Sequence, residues 1–246
     1  MCTLYLLLKS ICSFQLYAAQ FSQCGRFLAT VCKDGRIRIY DPRAGAEPVV
    51  EGAEIVPKKG ARIVWALDGK FLIVTGFSRQ SQRQVMVYRS EDLSLLNTVT
   101  LDESPAVVIP HYDADSHTLF LSGKGESTVT TFEVAADAPH LFPLSPYKAQ
   151  GLHQAISFLH KNVCNVRDVE FARAYRITNN TIEPVAFTVP RVKTAFFQDD
   201  ILPPTRVLWE ATLDAEEWFG GSEKTARRLS LKPDDMQASA RSSLHP

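Results

Sequence analysis

The sequence predicts an all-β fold in which short antiparallel strands recur at a nearly constant interval, and three observations support this. First, residues 27–32 form an apolar run that is followed by Asp34-Gly35 and an alternating strand at residues 36–40. Second, fourteen Phe and seven Tyr suit strands more than helices. Third, an aromatic residue closes four such strands at separations of 48, 44 and 43 residues: Tyr40, Tyr88, Phe132 and Tyr175. This interval matches one four-stranded propeller blade, which takes about 40–50 residues.

The clearest repeat unit spans residues 33–43. Asp34-Gly35 supplies the backbone freedom of a two-residue hairpin, because glycine accepts positive φ without steric cost. Apolar and charged residues alternate over residues 36–40, so one strand face is apolar and the other charged. Tyr40-Asp41 closes the strand where WD-repeat proteins often carry Trp-Asp. We predict structural roles in the blades for Asp34, Tyr40, Asp41, Tyr88, Phe132 and Tyr175.

The later repeats follow the same plan. Each closing strand follows an apolar strand, and further strands are expected on either side of the pair. Residues 78–83 are polar and predict a solvated loop. The expected inner strands are residues 61–66, 106–110 and 155–159, and the expected outer strands are residues 95–101, 141–144 and 182–189.

The strand pattern stops near residue 190. Residues 191–221 are rich in aromatic residues and predict a segment packed back across the blades, with a short helix at residues 213–219 stopped by Gly220-Gly221. Residues 222–246 are polar and predicted to be disordered, apart from a short strand at residues 229–231. The expected organisation is an atypical lead-in at 1–17, four blades at 18–190, an extension at 191–221 and a tail at 222–246.

Composition and motifs argue against several functional classes. The 27 basic and 27 acidic residues balance, so no overall field favours nucleic acid or an acidic membrane. The five cysteines contain no Cys-x-x-Cys pair, and the histidines lack metal-ligand spacing. Gly123-Lys124-Gly125 lacks phosphate-loop spacing and is interpreted as a hairpin turn. We therefore predict a protein that is not an enzyme and has no catalytic, cofactor or metal site.

The first residues do not fit a targeting or membrane-spanning segment. The apolar run at residues 3–8 is too short to cross a bilayer, and no charged segment precedes it. A truncated or alternative start is the preferred interpretation. No other stretch is long and apolar enough to span a membrane.

A basic surface patch is the best candidate for partner binding. Such a patch could dock on an acidic partner by complementary potential, although a charge run is equally often a solvated polar edge. Arg38 belongs to the same run, but it could also point between blades. The candidate residues are Lys33, Arg36, Arg43, Lys58, Lys59 and Arg62.

One short match concerns covalent modification. Arg227-Arg228-Leu229-Ser230 fits a phosphorylation site directed by basic residues, but such matches are frequent by chance. The alternative is that Ser230 belongs to a strand.

Several motifs carry a family resemblance that keeps its order from about residue 18 to 237. They are Ala29 to Gly35 with Asp41-Pro42-Arg43, Thr75-Gly76-Phe77-Ser78, Ser122 to Glu126, Glu183 to Arg191, Phe197 to Asp200 and Glu216 to Phe219. On these residues the chain resembles the coronin family of WD-repeat propellers, and it is most similar to the second propeller of the long, tandem-propeller type. The resemblance implies a seven-bladed ring, of which about four blades are readable here, followed by a C-terminal extension.

The resemblance also implies a function. It points to a non-enzymatic protein-binding scaffold that binds actin filaments and organises the actin cytoskeleton in the cytoplasm. The alternative is a scaffold in Golgi or endosomal membrane trafficking, peripheral to the Golgi and without direct actin contact; a third is a fragment without a stable fold. Because a blade buries its faces only against its neighbours, four blades leave open faces, and we expect self-association through them.

Overall fold

The computed structural model describes residues 15–55 and 60–238. The chain divides into two compact units, Met1–Leu152 and His153–Pro246; the strands β1 to β11 and all of β12 except its last residue, His153, belong to the first. Strands are the main regular structure in both units, so the all-β prediction is confirmed. Among the described residues, no helix combines the length and the apolar character that crossing a bilayer requires.

The first unit consists of three four-stranded antiparallel sheets, each ordered along the chain. The first sheet contains β1 (Leu16–Phe21), β2 (Leu28–Cys32), β3 (Arg36–Tyr40) and β4 (Pro48–Glu54). The second contains β5 (Arg62–Ala66), β6 (Phe71–Phe77), β7 (Arg83–Arg89) and β8 (Leu95–Thr100). The third contains β9 (Val108–Asp113), β10 (Thr118–Gly123), β11 (Glu126–Val134) and β12 (Leu141–His153).

The same register recurs in all three sheets. Tyr40 lies opposite Leu28, Tyr88 opposite Leu72, and Phe132 opposite Leu119. All three aromatic residues are at most 5% exposed. Burial raises the pKa of the Tyr88 hydroxyl to about 12, because the charged phenolate is disfavoured away from water. The three closing aromatic residues therefore occupy equivalent, buried positions in the three sheets.

Neighbouring sheets are joined by an apolar cluster. Val31, Ile37, Leu72 and Val74 are fully buried in the cluster that the first and second sheets share. A second cluster contains Ile73 and other side chains from the second and third sheets. Alternation along each strand makes this possible, because successive side chains of the middle sheet enter different clusters.

Polar contacts between inner strands repeat the blade interval. The Trp65 backbone N–H donates to Gln20 Oε1 and its indole N–H donates to the Gln20 carbonyl, both at 2.9 Å. The Leu67 N–H donates to the Tyr112 hydroxyl at 3.2 Å. In every case the two residues are 45 positions apart. One repeat length therefore separates equivalent positions of adjacent blades.

The second unit contains a three-stranded sheet and a two-stranded ribbon. The sheet consists of β13 (Ala155–Phe158), β14 (Glu170–Ile177) and β15 (Ile182–Thr188), and the ribbon pairs β16 (Thr205–Arg206) with β17 (Arg228–Leu229). The predicted short helix is present as α1 (Ala215–Phe219). Asp214 and Glu217 form a capping box at its start, which satisfies two free backbone N–H groups.

Two details of the predicted elements are corrected. Tyr175 lies within β14, the second strand of its sheet, and is 45% exposed, so it does not continue the series of buried closing aromatics. The first hairpin loop has three residues, Lys33 to Gly35, rather than two. Gly35 has φ of 83°, as expected for the left-handed position of a three-residue loop.

The C-terminal residues also differ from the expectation of a disordered tail. Met236 is 5% exposed and packs with Val166, Phe197 and Leu202, while Asp235 pairs with Arg167. The polar composition of this stretch concealed one apolar anchor, and burial of that anchor orders the chain. Residues 239–246 lie outside the described residues.

Candidate functional site

The candidate surface centres on the loop between β2 and β3. Asp34 accepts hydrogen bonds from the Arg36 backbone N–H at 3.0 Å and from Arg38 Nη2 at 2.6 Å. An aspartate that bonds the backbone two residues ahead is a common way to hold a tight turn. Lys33 is exposed at the tip, and its backbone N–H donates to the Gln15 carbonyl.

The arginines of β3 are paired with carboxylates. Arg36 Nη1 lies 2.8 Å from Glu51 Oε1, and Arg38 Nη2 lies 3.1 Å from the same oxygen. Glu51 stands on β4, directly across from Arg38. The Arg36 side chain is half-exposed, whereas Arg38 is only 15% exposed.

These pairs shift the ionisation of the carboxylates. The hydrogen bond from Arg36 holds the pKa of Glu51 below its usual value, and the charge of Arg38 adds to this. Burial alone would raise the pKa of Asp34, but the hydrogen bonds from Arg38 and the Arg36 backbone outweigh it and lower that pKa. Both carboxylates are therefore charged at neutral pH.

The region around the β2–β3 loop, here called the hairpin end, therefore has a much smaller net positive charge than the basic residues of β3 alone suggest. Lys33, Arg36 and Arg38 share this region with Asp34, Glu51 and Glu54, the last lying opposite Arg36 in the strand register. Three cations thus face three carboxylates at neutral pH. The exposed ammonium of Lys33 is the most accessible positive charge of the hairpin loop.

Arg62 lies beside the start of β1. Its guanidinium donates to the carbonyl oxygens of Ala61 at 2.8 Å and Tyr17 at 3.3 Å. Since Lys33 bonds Gln15 and Arg62 bonds Tyr17, the two basic residues flank the same end of β1. Arg62 also lines a depression of about 350 Å³ on the surface formed by β1, β5 and β9.

The structure does not bring all six candidate residues together. Arg43 follows β3 at the end away from the loop, and five strand residues separate the two ends by about 15 Å. Its backbone N–H donates to Asp41, which is buried and also pairs with Arg26 at 2.9 Å. Asp41 therefore holds the turn after β3. The remaining candidates, Lys58 and Lys59, lie outside the described residues.

The sequence interpretation missed a buried ion-pair network at the start of β7. Arg83, expected in a solvated loop, is 5% exposed. Its guanidinium makes a bidentate contact with the Asp102 carboxylate. It also donates a hydrogen bond to Glu126, the first residue of β11 in the next sheet. Burial opposes the charge of Arg83, but the hydrogen bonds that it donates to Asp102 and the nearby carboxylates leave its pKa above the usual value.

A glycine makes room for this network. A Cβ atom at Gly123 would lie 2.6 Å from the Glu126 carboxyl carbon, closer than real contacts allow. Gly123 ends β10 and Glu126 begins β11, so Lys124-Gly125 forms the predicted hairpin turn. The network joins the second sheet to the third, because Arg83 and Glu126 are 43 residues apart in the chain. No local sequence pattern could indicate a contact between residues so far apart.

Over residues 15–55 and 60–238, no group of three His, Cys, Asp or Glu residues is arranged to hold a metal ion.

Comparisons with known proteins agree with this architecture. A family model described as a type of WD40 repeat matches residues 182–226. Coronin-7 of Bos taurus is 42% identical over 224 residues, which is 90% of this chain and 24% of that protein. Coronin-2A of Homo sapiens is 35% identical over 221 residues, which is 89% of this chain and 41% of that protein.

A solved structure shares the fold. The WD40 domain of Toxoplasma gondii coronin superimposes with a TM-score of 0.78 at 26% identity, covering 90% of this chain and 57% of that one. The chain thus spans about a quarter of the length of the coronin-7 relative and somewhat more than half of the solved domain. Sequence and fold together show that the chain belongs to the coronin family and that its sheets are those of a partial WD40-type propeller.

Proposed function

We propose that this chain is a non-enzymatic scaffold of the coronin type that binds actin filaments in the cytoplasm. The observation that carries the proposal is its 42% identity to coronin-7 over 90% of its length. We further propose that residues 18–190 act as the blade region and residues 191–221 as an extension, with residues 222–246 forming the C-terminal segment.

The proposed contact surface is the hairpin end with Lys33, Arg36 and Arg62. Lys33 is exposed and Arg62 lies across the start of β1 from it. Because Glu51 pairs with Arg36 and Arg38, the positive field is small, and docking on an acidic filament should be weak and sensitive to salt.

Co-sedimentation with actin filaments tests this surface. Changing Lys33→Ala should weaken binding by roughly 0.5–1 kcal/mol, about two- to fivefold in Kd, since an exposed charge contact has that size. Changing Glu51→Gln should instead strengthen binding, because it removes the carboxylate that neutralises both arginines of β3. Binding of the unmodified chain should fall as salt rises.

Arg89→Ala is the matched control. Arg89 is half-exposed and ends β7, at the sheet end away from the β6–β7 loop. It should pellet like the unmodified chain. If Lys33→Ala and Arg89→Ala lower the filament affinity equally, only the total charge of the chain matters, and the hairpin end is not the contact surface.

The second candidate is a scaffold peripheral to Golgi or endosomal membranes without direct actin contact. The neutralised charges of Arg36 and Arg38 favour it, because they reduce attraction to an acidic filament. A chain that stays in the supernatant with filaments even at low salt would exclude direct actin binding and leave this candidate.

We also propose that the isolated chain self-associates through the sheet β13–β15. Ile182, Ile177 and Tyr175 share one face of that sheet and are 69%, 42% and 45% exposed. We do not expect the first sheet to associate in this way. Leu28 and Tyr40 lie on its face away from the second sheet, and both are already buried. A second copy could cover the exposed face in the way that sheets of the first unit cover one another.

Sedimentation velocity at increasing concentration measures this association. The unmodified chain should sediment faster as its concentration rises, and Ile182→Glu should abolish the increase by placing a charge on the face. Val49→Glu, a change at a half-exposed position of β4, should leave association intact. A chain that remains monomeric at its solubility limit would refute the proposal.

A further inference from the structure

The two-stranded ribbon brings basic side chains around one exposed hydroxyl. β16 and β17 pair Arg206 with Arg228 and Thr205 with Leu229. Like charges directly opposite each other in a ribbon destabilise it. Ser230 follows β17 and is exposed, with Arg227 and Arg228 three and two residues before it.

The register places a guanidinium beside that hydroxyl. Extending the antiparallel pairing by one residue puts Pro204 opposite Ser230. Arg228 Nη1 donates to the Pro204 carbonyl at 3.0 Å, so its charge reaches across the ribbon towards the position of Ser230. On the other side, the Lys232 backbone N–H donates to Ser230 Oγ at 3.3 Å.

We propose that Ser230 is a phosphorylation site for a protein kinase whose acidic groove reads the two preceding arginines. The Ser230 oxygen attacks the γ-phosphorus of ATP, the bond to the β–γ bridging oxygen breaks, ADP leaves, and the hydroxyl proton passes to the kinase. Arg227 is 60% exposed, and its partner Glu210 is nearly as exposed, so the kinase can displace that contact.

The ribbon itself explains why a folded chain can serve as substrate. β17 has only two residues, so few backbone hydrogen bonds hold it, and its local opening costs little free energy. Leu229 is partly buried, while Arg227, Arg228 and Ser230 are exposed. The residues that the kinase must read are thus already at the surface.

The phosphate would stabilise the ribbon after transfer. It brings about −1.5 to −2 charge and three acceptor oxygens, which oppose the repulsion between Arg206 and Arg228. Arg228 and the Lys232 amide are the groups placed to bind it. Modification therefore adds a charge-assisted contact to a ribbon in which two arginines lie opposite each other.

Labelling of the full chain tests the proposal. The catalytic subunit of a cyclic-nucleotide-dependent protein kinase with Mg²⁺ and ATP is the probe, and peptide mass spectrometry locates the phosphate. Ser230→Ala should remove the label, whereas Ser222→Ala should not. Arg227→Ala should lower kcat/KM by about tenfold or more, because it removes a charge read by the kinase.

Hydrogen exchange reports the structural consequence. Amides of residues 205–207 and 228–230 should exchange more slowly in the phosphorylated chain, and Arg228→Ala should cancel the difference. If Ser230 stays unlabelled in a reaction in which a reporter substrate is fully phosphorylated, the assignment of Ser230 as a phosphorylation site is wrong. A labelled chain with unchanged exchange would overturn its action on the ribbon.

Discussion

Replacing Trp65 with alanine should lower the free energy of unfolding by about 3–5 kcal/mol, the usual range for deleting a buried tryptophan. Trp65 is 4% exposed and belongs to the cluster shared by the first and second sheets. Its side chain also donates to the Gln20 carbonyl. The substitution therefore leaves a cavity and also removes the hydrogen bond to the Gln20 carbonyl.

Urea denaturation followed by circular dichroism measures this loss. Trp65→Phe separates the packing from the hydrogen bond, because phenylalanine retains most of the packing and lacks the indole N–H. We expect it to lower the free energy of unfolding by about 0.5–1.5 kcal/mol, since water can reach the exposed Gln20. Leu208→Ala, at a position 67% exposed, should change stability by less than about 0.5 kcal/mol. A Trp65→Ala chain as stable as the Leu208→Ala chain would contradict the buried contact between the sheets.

Arg83→Met should destabilise the chain by about 3 kcal/mol, because it strips two carboxylates of their buried partner. Arg83 is 6% exposed at its side chain, against 50% for Asp102 and 22% for Glu126. Because the half-exposed Asp102 carboxylate can be solvated by water once Arg83 is gone, the loss of stability should lie at the lower end of the range for broken buried ion pairs. Thermal unfolding should show an earlier midpoint.

A double-mutant cycle isolates the contact between sheets. Arg83→Met and Glu126→Gln should be non-additive, since the two side chains touch directly. Arg89→Ala is the control on the same strand, where the pair with Asp92 is exposed and 3.8 Å apart. That change should cost less than about 1 kcal/mol. Additive effects of Arg83→Met and Glu126→Gln would argue that the bridge contributes nothing to stability.

Much of the fold could be predicted because its signals are local. Alternation of apolar and polar residues located most strands within a few residues, and Asp-Gly and Gly-Lys-Gly sequences located hairpin turns. Tyr40, Tyr88 and Phe132 marked equivalent positions because each faces the same packing environment in its sheet. Tyr175 does not continue the series. It lies on the second strand of a three-stranded sheet, whereas the other three aromatic residues lie on the third strand of four-stranded sheets.

The charged residues were harder to interpret, because charge on a strand has no periodic signature that identifies its partner. The basic run on β3 suggested a patch, but Glu51, fifteen residues beyond Arg36, pairs with its arginines. Arg83 looked solvated because its neighbours in sequence are polar, while its partners come from another strand and another sheet. Arg43 and Lys33 are ten residues apart but lie beyond opposite ends of β3.

The amino-acid order therefore sets the repeat length, the turn positions and the apolar face of each strand, since these depend on contacts within a few residues. Strand pairing and the stacking of the sheets set which charges are neutralised, which arginine is buried and which apolar face stays exposed. Those properties depend on side chains that meet only after residues 15 to 45 positions apart have been brought together.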